Sequence, residues 1–180
     1  MIKTPTNAKN THDLLTIIAS SVSSNARRPI DYLEIGVREG DSMKVMLENE
    51  NIRIAVGVDT WGSDAGGTGR GSPDHIPSIL GEGMDRVILI TGSSHDILPG
   101  LRHLFDMIYI DGDHSEAGAV LDLTDCLRLL KPDGVIVADD ADHPLHSYLR
   151  GVIQKWAEAN GLALAFHGCG YGVAEMRRKP

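Results

Sequence analysis

Apolar and polar residues follow two rhythms along this chain. From Thr11 to Ser24, Leu14, Ile17, Ile18 and Val22 recur at spacings that put them on one face of a helix, with Asn10 or Thr11 as its cap. Short continuous apolar runs then take over: Ile30 to Ile35, Ile52 to Asp59, Arg86 to Thr91, Phe105 to Ile110 and Val135 to Ala138. Runs of this length, rich in Ile and Val and bounded by Gly, Pro or Asp, predict strands buried on both faces. Between them the helical spacing returns. Met43, Val45, Met46 and Leu47 predict a helix that begins near Asp41 or Ser42, and Ser72 with Pro73 predicts the start of a short helix stopped by Gly81. Ser115 caps a helix striped by Val120, Leu123, Leu127 and Leu130 and ended by Lys131, Pro132 and Gly134. A last helix carries Leu149, Val152, Ile153 and Trp156 and closes at Gly161. Strands alternating with helices predict a parallel, right-handed, doubly wound α/β sheet. Leu162 to Cys169 and Gly172 to Met176, joined around Gly170 and Tyr171, predict a terminal hairpin that puts an antiparallel strand at one edge. Arg177 to Lys179 read as a solvated basic end.

Length and charge narrow this picture. The 180 residues fit one domain, 1–180, with an N-terminal helical region over 1–28. The 20 glycines suit tight strand-to-helix turns. A net charge of -8 argues against a non-specific grip on nucleic acid, which rests on Lys and Arg neutralising phosphates. Cys126 and Cys169 lack any metal-finger spacing and read as two buried thiols. The first residues lack the apolar core of a signal peptide, and no run reaches membrane-spanning length, so the expected location is cytoplasmic, without membrane or nucleic-acid partners.

The chemistry gathers where the strands end. Phe105 to Ile110 is followed by Asp111 and Asp113, and Val135 to Ala138 by Asp139 and Asp140. Ligands bind at the carboxyl ends of strands in an open parallel sheet, so these carboxylates share a small volume, where mutual repulsion favours a divalent cation. LEIGVREGDS, Leu33 to Ser42, ends its strand in an acid and follows it with Gly36 and Gly40, which let backbone approach a ligand. It lacks the G-x-G-x-x-G dinucleotide fingerprint, which lowers a nicotinamide reading. Asp59 ends the second strand, where an acid accepts from a ribose diol or serves as a turn residue. Thr60 to Ser72 is glycine-rich, a candidate lid in which Trp61 either covers a ligand or packs on the sheet edge. Ser94 and His95 follow the third strand at the same level.

With these motifs in order, the chain resembles the class I S-adenosylmethionine (SAM)-dependent methyltransferases, over nearly its whole length. SSHDILPGL, IDGDH, LKPDGVIVADD and VDTW look like the small-molecule O-methyltransferases, nearest the metal-dependent sugar and macrolide branch of macrocin type and more distantly the catechol type. The resemblance implies a Rossmann-like, mostly parallel seven-stranded sheet. It implies that Glu34, Gly36, Val37 and Gly40 line the methionine end of the cofactor, with Ser42 opening the adjoining helix. Asp59 would hold the ribose, Ser94 and His95 would border the adenine, and Asp111 would also touch the cofactor. Asp111, Asp139 and Asp140 would hold Mg²⁺ or another divalent cation, His143 leaving room for a softer one. The proton acceptor would be Asp113 or His114, unless both merely satisfy the amides of the helix at Ser115. The expected reaction is metal-assisted methylation of a hydroxyl on a sugar or polyketide-type metabolite. The alternatives are a metal-independent N- or carboxyl-methyltransferase and a non-catalytic SAM-binding module. This chain is shorter than the sugar and macrolide enzymes, so its acceptor site is expected to be open, shaped by the Thr60 to Ser72 loop, or completed in a homodimer.

Overall fold

The computed structural model describes residues 8–62 and 71–179. Helix α1 (Thr11–Ala26) is capped by Asn10, whose side chain accepts from the Asp13 amide. It leads into β1 (Ile30–Ile35), α2 (Asp41–Glu48), β2 (Ile52–Asp59), α3 (Ile76–Leu80), β3 (Val87–Thr91), α4 (Ser94–Ile97) and β4 (Phe105–Ile110). Then come α5 (Glu116–Leu129), β5 (Leu130–Ala138), α6 (Leu149–Ala159), β6 (Leu162–His167) and β7 (Val173–Arg178). The seven strands form one sheet in the order β3-β2-β1-β4-β5-β7-β6. All neighbours from β3 to β5 pair in parallel; β7 is antiparallel to both β5 and β6. The antiparallel strand therefore lies one place inside the edge rather than at it. The hairpin folds back so that its second arm takes the free hydrogen-bonding edge of β5.

Consecutive residues of the central strands serve opposite faces, which is why their sequences read as mostly apolar runs without a strict alternation. Leu33, Ile35, Ile108, Ile110 and Ile136 pack with Leu123 and Leu129 of α5 and Ile153 and Trp156 of α6. Tyr32, Met107, Tyr109, Val135 and Val137 pack on the other face with Leu14, Leu15 and Ile18 of α1 and Met43 and Met46 of α2. Each such side chain contributes roughly 1.5–3 kcal/mol on burial, so packing rather than helix propensity holds α1 in place. Both cysteines are buried and free.

Three of the departures from the sequence expectation have a visible cause. α3 begins at Ile76, after a turn over Ser72, whose hydroxyl accepts from the Asp74 amide. β5 begins at Leu130, because Leu130 pairs with Phe105 before a register shift and Lys131 is drawn inward to Asp31 and Asp106. Arg177 is not a free solvated end; its guanidinium lies 2.7 Å from buried Glu175.

The two ends of the sheet handle acidic residues differently. At the amino end Asp31 and Asp106 are buried, and Arg28, Arg53 and Lys131 lie 2.6–2.9 Å from their oxygens. Burial alone would raise both carboxyls, but these cations overcome it and hold them below the usual range. At the carboxyl end, among the described residues, Asp59, Asp111, Asp139 and Asp140 have no Lys or Arg ion-pair partner. That end is left electrostatically unsatisfied.

Candidate functional site

A cavity of about 550 Å³ opens over the carboxyl ends of the parallel strands. Gly36 and Arg38 enter it after β1, Asp59 and Thr60 after β2, Gly92 to His95 after β3, Asp111 to His114 after β4, and Asp139 and Asp140 after β5. His143, Leu145, His146 and Tyr171 form its remaining wall. The strand register aligns these ends: Ile35 stands beside Val58 on one side and Ile110 on the other, and Ile110 beside Ala138.

The turn after β1 depends on left-handed backbone. Gly36 and Gly40 both have φ of 86° and Arg38 has φ of 53°. Arg38 then donates its amide to Asp59 Oδ2 at 2.6 Å, and the Trp61 amide donates to Asp59 Oδ1 at 2.5 Å. The Asp59 carboxylate is thus held between two loops at the cavity wall. Trp61 packs toward the core on the α1 face, and its indole donates to the Arg38 carbonyl, so it does not cover the cavity. Residues 63–70, most of the candidate lid, lie outside the described residues.

Among residues expected at the cofactor, Gly36, Asp59, Ser94, His95 and Asp111 line the cavity. Glu34, Val37, Gly40 and Ser42 lie behind it. Glu34 is fully buried and accepts from Tyr32 Oη at 2.7 Å and Ser42 Oγ at 2.6 Å. Burial raises its carboxyl to about 8, against those two hydrogen bonds, and the nearby charges of Asp111 and Asp59 push the same way. A carboxyl protonated in the fold up to about pH 8 but only to about 4.5 when unfolded stabilises the protein most below 4.5. That stability is lost as pH rises through 8. Glu34→Gln is expected to remove this dependence. Thermal unfolding followed from pH 5 to 8.5 should show a midpoint that falls in the wild type and falls less in the variant, the gap at the alkaline end being on the order of a few kcal/mol.

The acidic cluster comes together differently from the sequence reading. Asp111, Asp140 and His114 each offer a ligand atom within 4.8 Å of the others. His114 Nε2 lies 3.4 Å from Asp111 and 3.3 Å from Asp140, with no hydrogen-bond partner. Asp139 turns to Tyr109, whose hydroxyl donates at 2.5 Å. Burial, then the charge of Asp111, lifts Asp139 to about 6. Asp140 is raised for the same two reasons, and its φ of 57° places it in the left-handed region. Asp111 beside His114 raises the imidazole against burial. Asp113 stands apart: its Oδ1 accepts from the Ser115 amide and its side chain abuts Gly118 in the first turn of α5. It acts there as the helix-end group that the sequence left as an alternative, while Ser115 accepts from Gly118 as the cap.

Three participants were not singled out from sequence. His146 stacks on His114 at 4.9 Å between ring centroids, and its spacing from His143, H-P-L-H two residues beyond the paired acids, was the available signal. Tyr109 reads as a core strand residue until the fold brings its hydroxyl to Asp139. Asp122, on α5, is a polar position that the fold buries completely.

Among described residues, no helix is long and apolar enough to cross a membrane. A family of known proteins described as "Methyltransferase domain" matches residues 33–141, more than half the chain. An uncharacterized protein of Acanthamoeba polyphaga mimivirus is 27% identical over 130 residues, or 69% of this chain; the chain spans 57% of that protein's length. Solved structures share the fold at low identity. A TDP-rhamnose 3'-O-methyltransferase of calicheamicin biosynthesis superposes with a TM-score of 0.68 at 16% identity, covering 94% of this chain and 81% of that one. The O-methyltransferase from Bacillus cereus in complex with SAH gives 0.67 at 19%, covering 91% and 80%. TomG from Streptomyces achromogenes, involved in tomaymycin synthesis and in complex with SAM, gives 0.65 at 22%, covering 90% and 79%.

Proposed function

The chain belongs to the methyltransferase-domain family matched over residues 33–141, and from that premise we propose that it transfers the methyl group of SAM to a hydroxyl of a small molecule with help from a divalent cation. The observation that carries the proposal is the single cavity in which the Gly36 turn and Asp59 face the Asp111–His114–Asp140 cluster. One end offers close backbone and a carboxylate for a ribose diol; the other offers oxygen and imidazole ligands beside an acid with a pKa of about 6. SAM supplies the methyl on a sulfonium, which needs in-line placement more than covalent help from the protein.

The residues present fit a divalent cation. His114 Nε2 is orphaned, and crowded carboxylates with no Lys or Arg partner raise one another. A cation there would lower the pKa of a chelating hydroxyl and orient it. Asp111 and Asp140 belong both to the set implied by resemblance and to the geometric cluster. The third position falls to His114 as the side chains stand, or to Asp139 once the Tyr109 hydroxyl turns away. Whichever of the two does not ligate is the cavity's proton acceptor: burial and Asp111 lift Asp139 to about 6, and Asp111 beside His114 raises the imidazole from its usual value. Asp113, spent on the end of α5, is the weaker candidate. A histidine in the set would admit Mn²⁺ or Zn²⁺ beside Mg²⁺.

The shared fold with a TDP-rhamnose 3'-O-methyltransferase and an O-methyltransferase of tomaymycin synthesis supports a hydroxylated metabolite as acceptor, and the exposed Leu145 and Tyr171 on the rim offer it a partly apolar wall. Methyl transfer to a panel of sugars and catechols should stop on exhaustive chelation and return with Mg²⁺ or Mn²⁺. Mn²⁺ titration followed by electron spin resonance should weaken roughly tenfold or more in the ligating member of the pair Asp139→Asn and His114→Ala, and little in the other. Turnover that survives chelation would move the protein to the metal-independent N- or carboxyl-methylating alternative. SAM binding without turnover on any acceptor would leave the non-catalytic module.

A further inference from the structure

Asp122 is 0% exposed, and neither of its carboxylate oxygens has a hydrogen-bond partner. Its nearest imidazole nitrogen, His95 Nε2, lies 3.5 Å from Oδ1 and is itself without a hydrogen bond. The Ser94 hydroxyl and the Asp113 backbone favour the ionised carboxyl, but burial outweighs them and raises it. A hydrogen-bond-poor carboxyl in a core costs stability, and an apolar residue of similar size would be neutral or better there. Three of its neighbours face the cavity: Ser94, His95 and Gly112 all line it, and a Cβ on Gly112 would sit 2.9 Å from Asp122 Oδ2. The carboxyl is placed directly behind the wall that follows β3.

We propose that Asp122, acting through His95, is the nucleobase-specificity element of this site: the buried carboxylate accepts a hydrogen bond from His95 Nε2–H and so leaves Nδ1 as an acceptor for the exocyclic amine of adenine. This rests on the SAM reading of the cavity. The pair distance of 3.5 Å stands at the outer limit of a hydrogen bond. A fixed tautomer gives the wall a sign. Nδ1 as acceptor matches the 6-amino group of adenine and opposes the 6-oxo group of its deaminated analogue, whose oxygen would face a lone pair. Without Asp122 either ring nitrogen can carry the hydrogen, and the wall reads neither base. His95 would contact the base, and Asp122 would be a positioning residue.

The test is calorimetry of the full chain with S-adenosylhomocysteine (SAH) and with S-inosylhomocysteine, on wild type, Asp122→Leu, Asp122→Asn and His95→Leu. Wild type should prefer SAH by roughly tenfold or more, the scale of one discriminating polar contact. In Asp122→Leu that preference should collapse toward one while the unfolding midpoint holds or rises, a combination that a merely structural acid would not give. Asp122→Asn, whose carbonyl still accepts from Nε2, should keep the preference. Nitrogen-15 spectra should show His95 as the Nε2–H tautomer in the wild type and as a mixture in Asp122→Leu. An unchanged preference in Asp122→Leu, or an Nδ1–H tautomer in the wild type, overturns the proposal. Should Asp122→Leu fail to fold, His95→Leu carries the same test, and a preference that persists there overturns it too. If wild type binds neither compound, the SAM reading falls and takes this proposal with it; wild-type binding with equal affinity for both removes this proposal alone.

Discussion

Gly36→Ala is expected to abolish SAH binding by calorimetry and to lower the unfolding midpoint substantially. At Gly36 a Cβ would lie 1.9 Å from the Asp111 carbonyl oxygen and 2.6 Å from its carbonyl carbon. The obstacle is backbone, so no rotamer relieves it. The residue also has φ of 86°, which costs a side chain roughly 1–2 kcal/mol before any clash. Relief requires the end of β1 to part from the end of β4, and the hydrogen bond from the Asp111 amide to the Ile35 carbonyl at 2.8 Å resists that. Moving the Asp111 backbone displaces a candidate cation ligand as well as the cofactor turn, so both halves of the cavity should fail together. Gly161→Ala provides the comparison. Gly161 also has positive φ, 66°, but nothing lies within 4 Å of its Cβ position. That variant should lose only the conformational cost and bind SAH normally. If Gly36→Ala kept wild-type SAH affinity, the turn after β1 would have no part in the cofactor site.

What the chain disclosed in advance depended on how local each cause was. β1, β2 and β4 begin and end where their mostly apolar runs do, because a strand buried on both faces is drawn chiefly from apolar residues. β5 did not, since Lys131, Pro132 and Gly134 read as the end of the preceding helix. The segment is extended because Lys131 reaches Asp31, a hundred residues earlier, and Asp106. The placing of β7 inside β6 follows from a free edge on β5, which no local pattern records.

At the site, the acids after β2, β4 and β5 were legible because strand ends in a parallel sheet meet at one level. Their division of labour was not. Asp113 sits one residue from His114 and two from Asp111, yet it turns to α5 while those two face each other. That choice depends on the Ser115 amide and on room beside Gly118. Asp139 and Asp140 part in the same way, one toward Tyr109 and the other toward His114. Asp122 was invisible because a polar residue on a helix is ordinarily solvated, and only the sheet packing shows that this one is not.

The second large effect is expected at Asp59. Its carboxylate is oriented by the Arg38 and Trp61 amides at the cavity wall. Each oxygen keeps acceptor capacity that a vicinal ribose diol can use. Hydrogen bonds to a charged acceptor contribute about 1.5 kcal/mol or more each, so losing two weakens binding by about 3 kcal/mol, or roughly 100-fold. Asp59→Ala also frees two loop amides to water, which should cost little stability at this partly exposed position. Calorimetric titration of wild type and Asp59→Ala with SAH, without cation or acceptor, isolates the cofactor half of the cavity from the chemistry at the other end. Stoichiometric binding to the wild type, weakened roughly 100-fold in a folded Asp59→Ala, is the predicted result. No binding to the wild type, or equal binding to both, would contradict the assignment of this cavity to SAM.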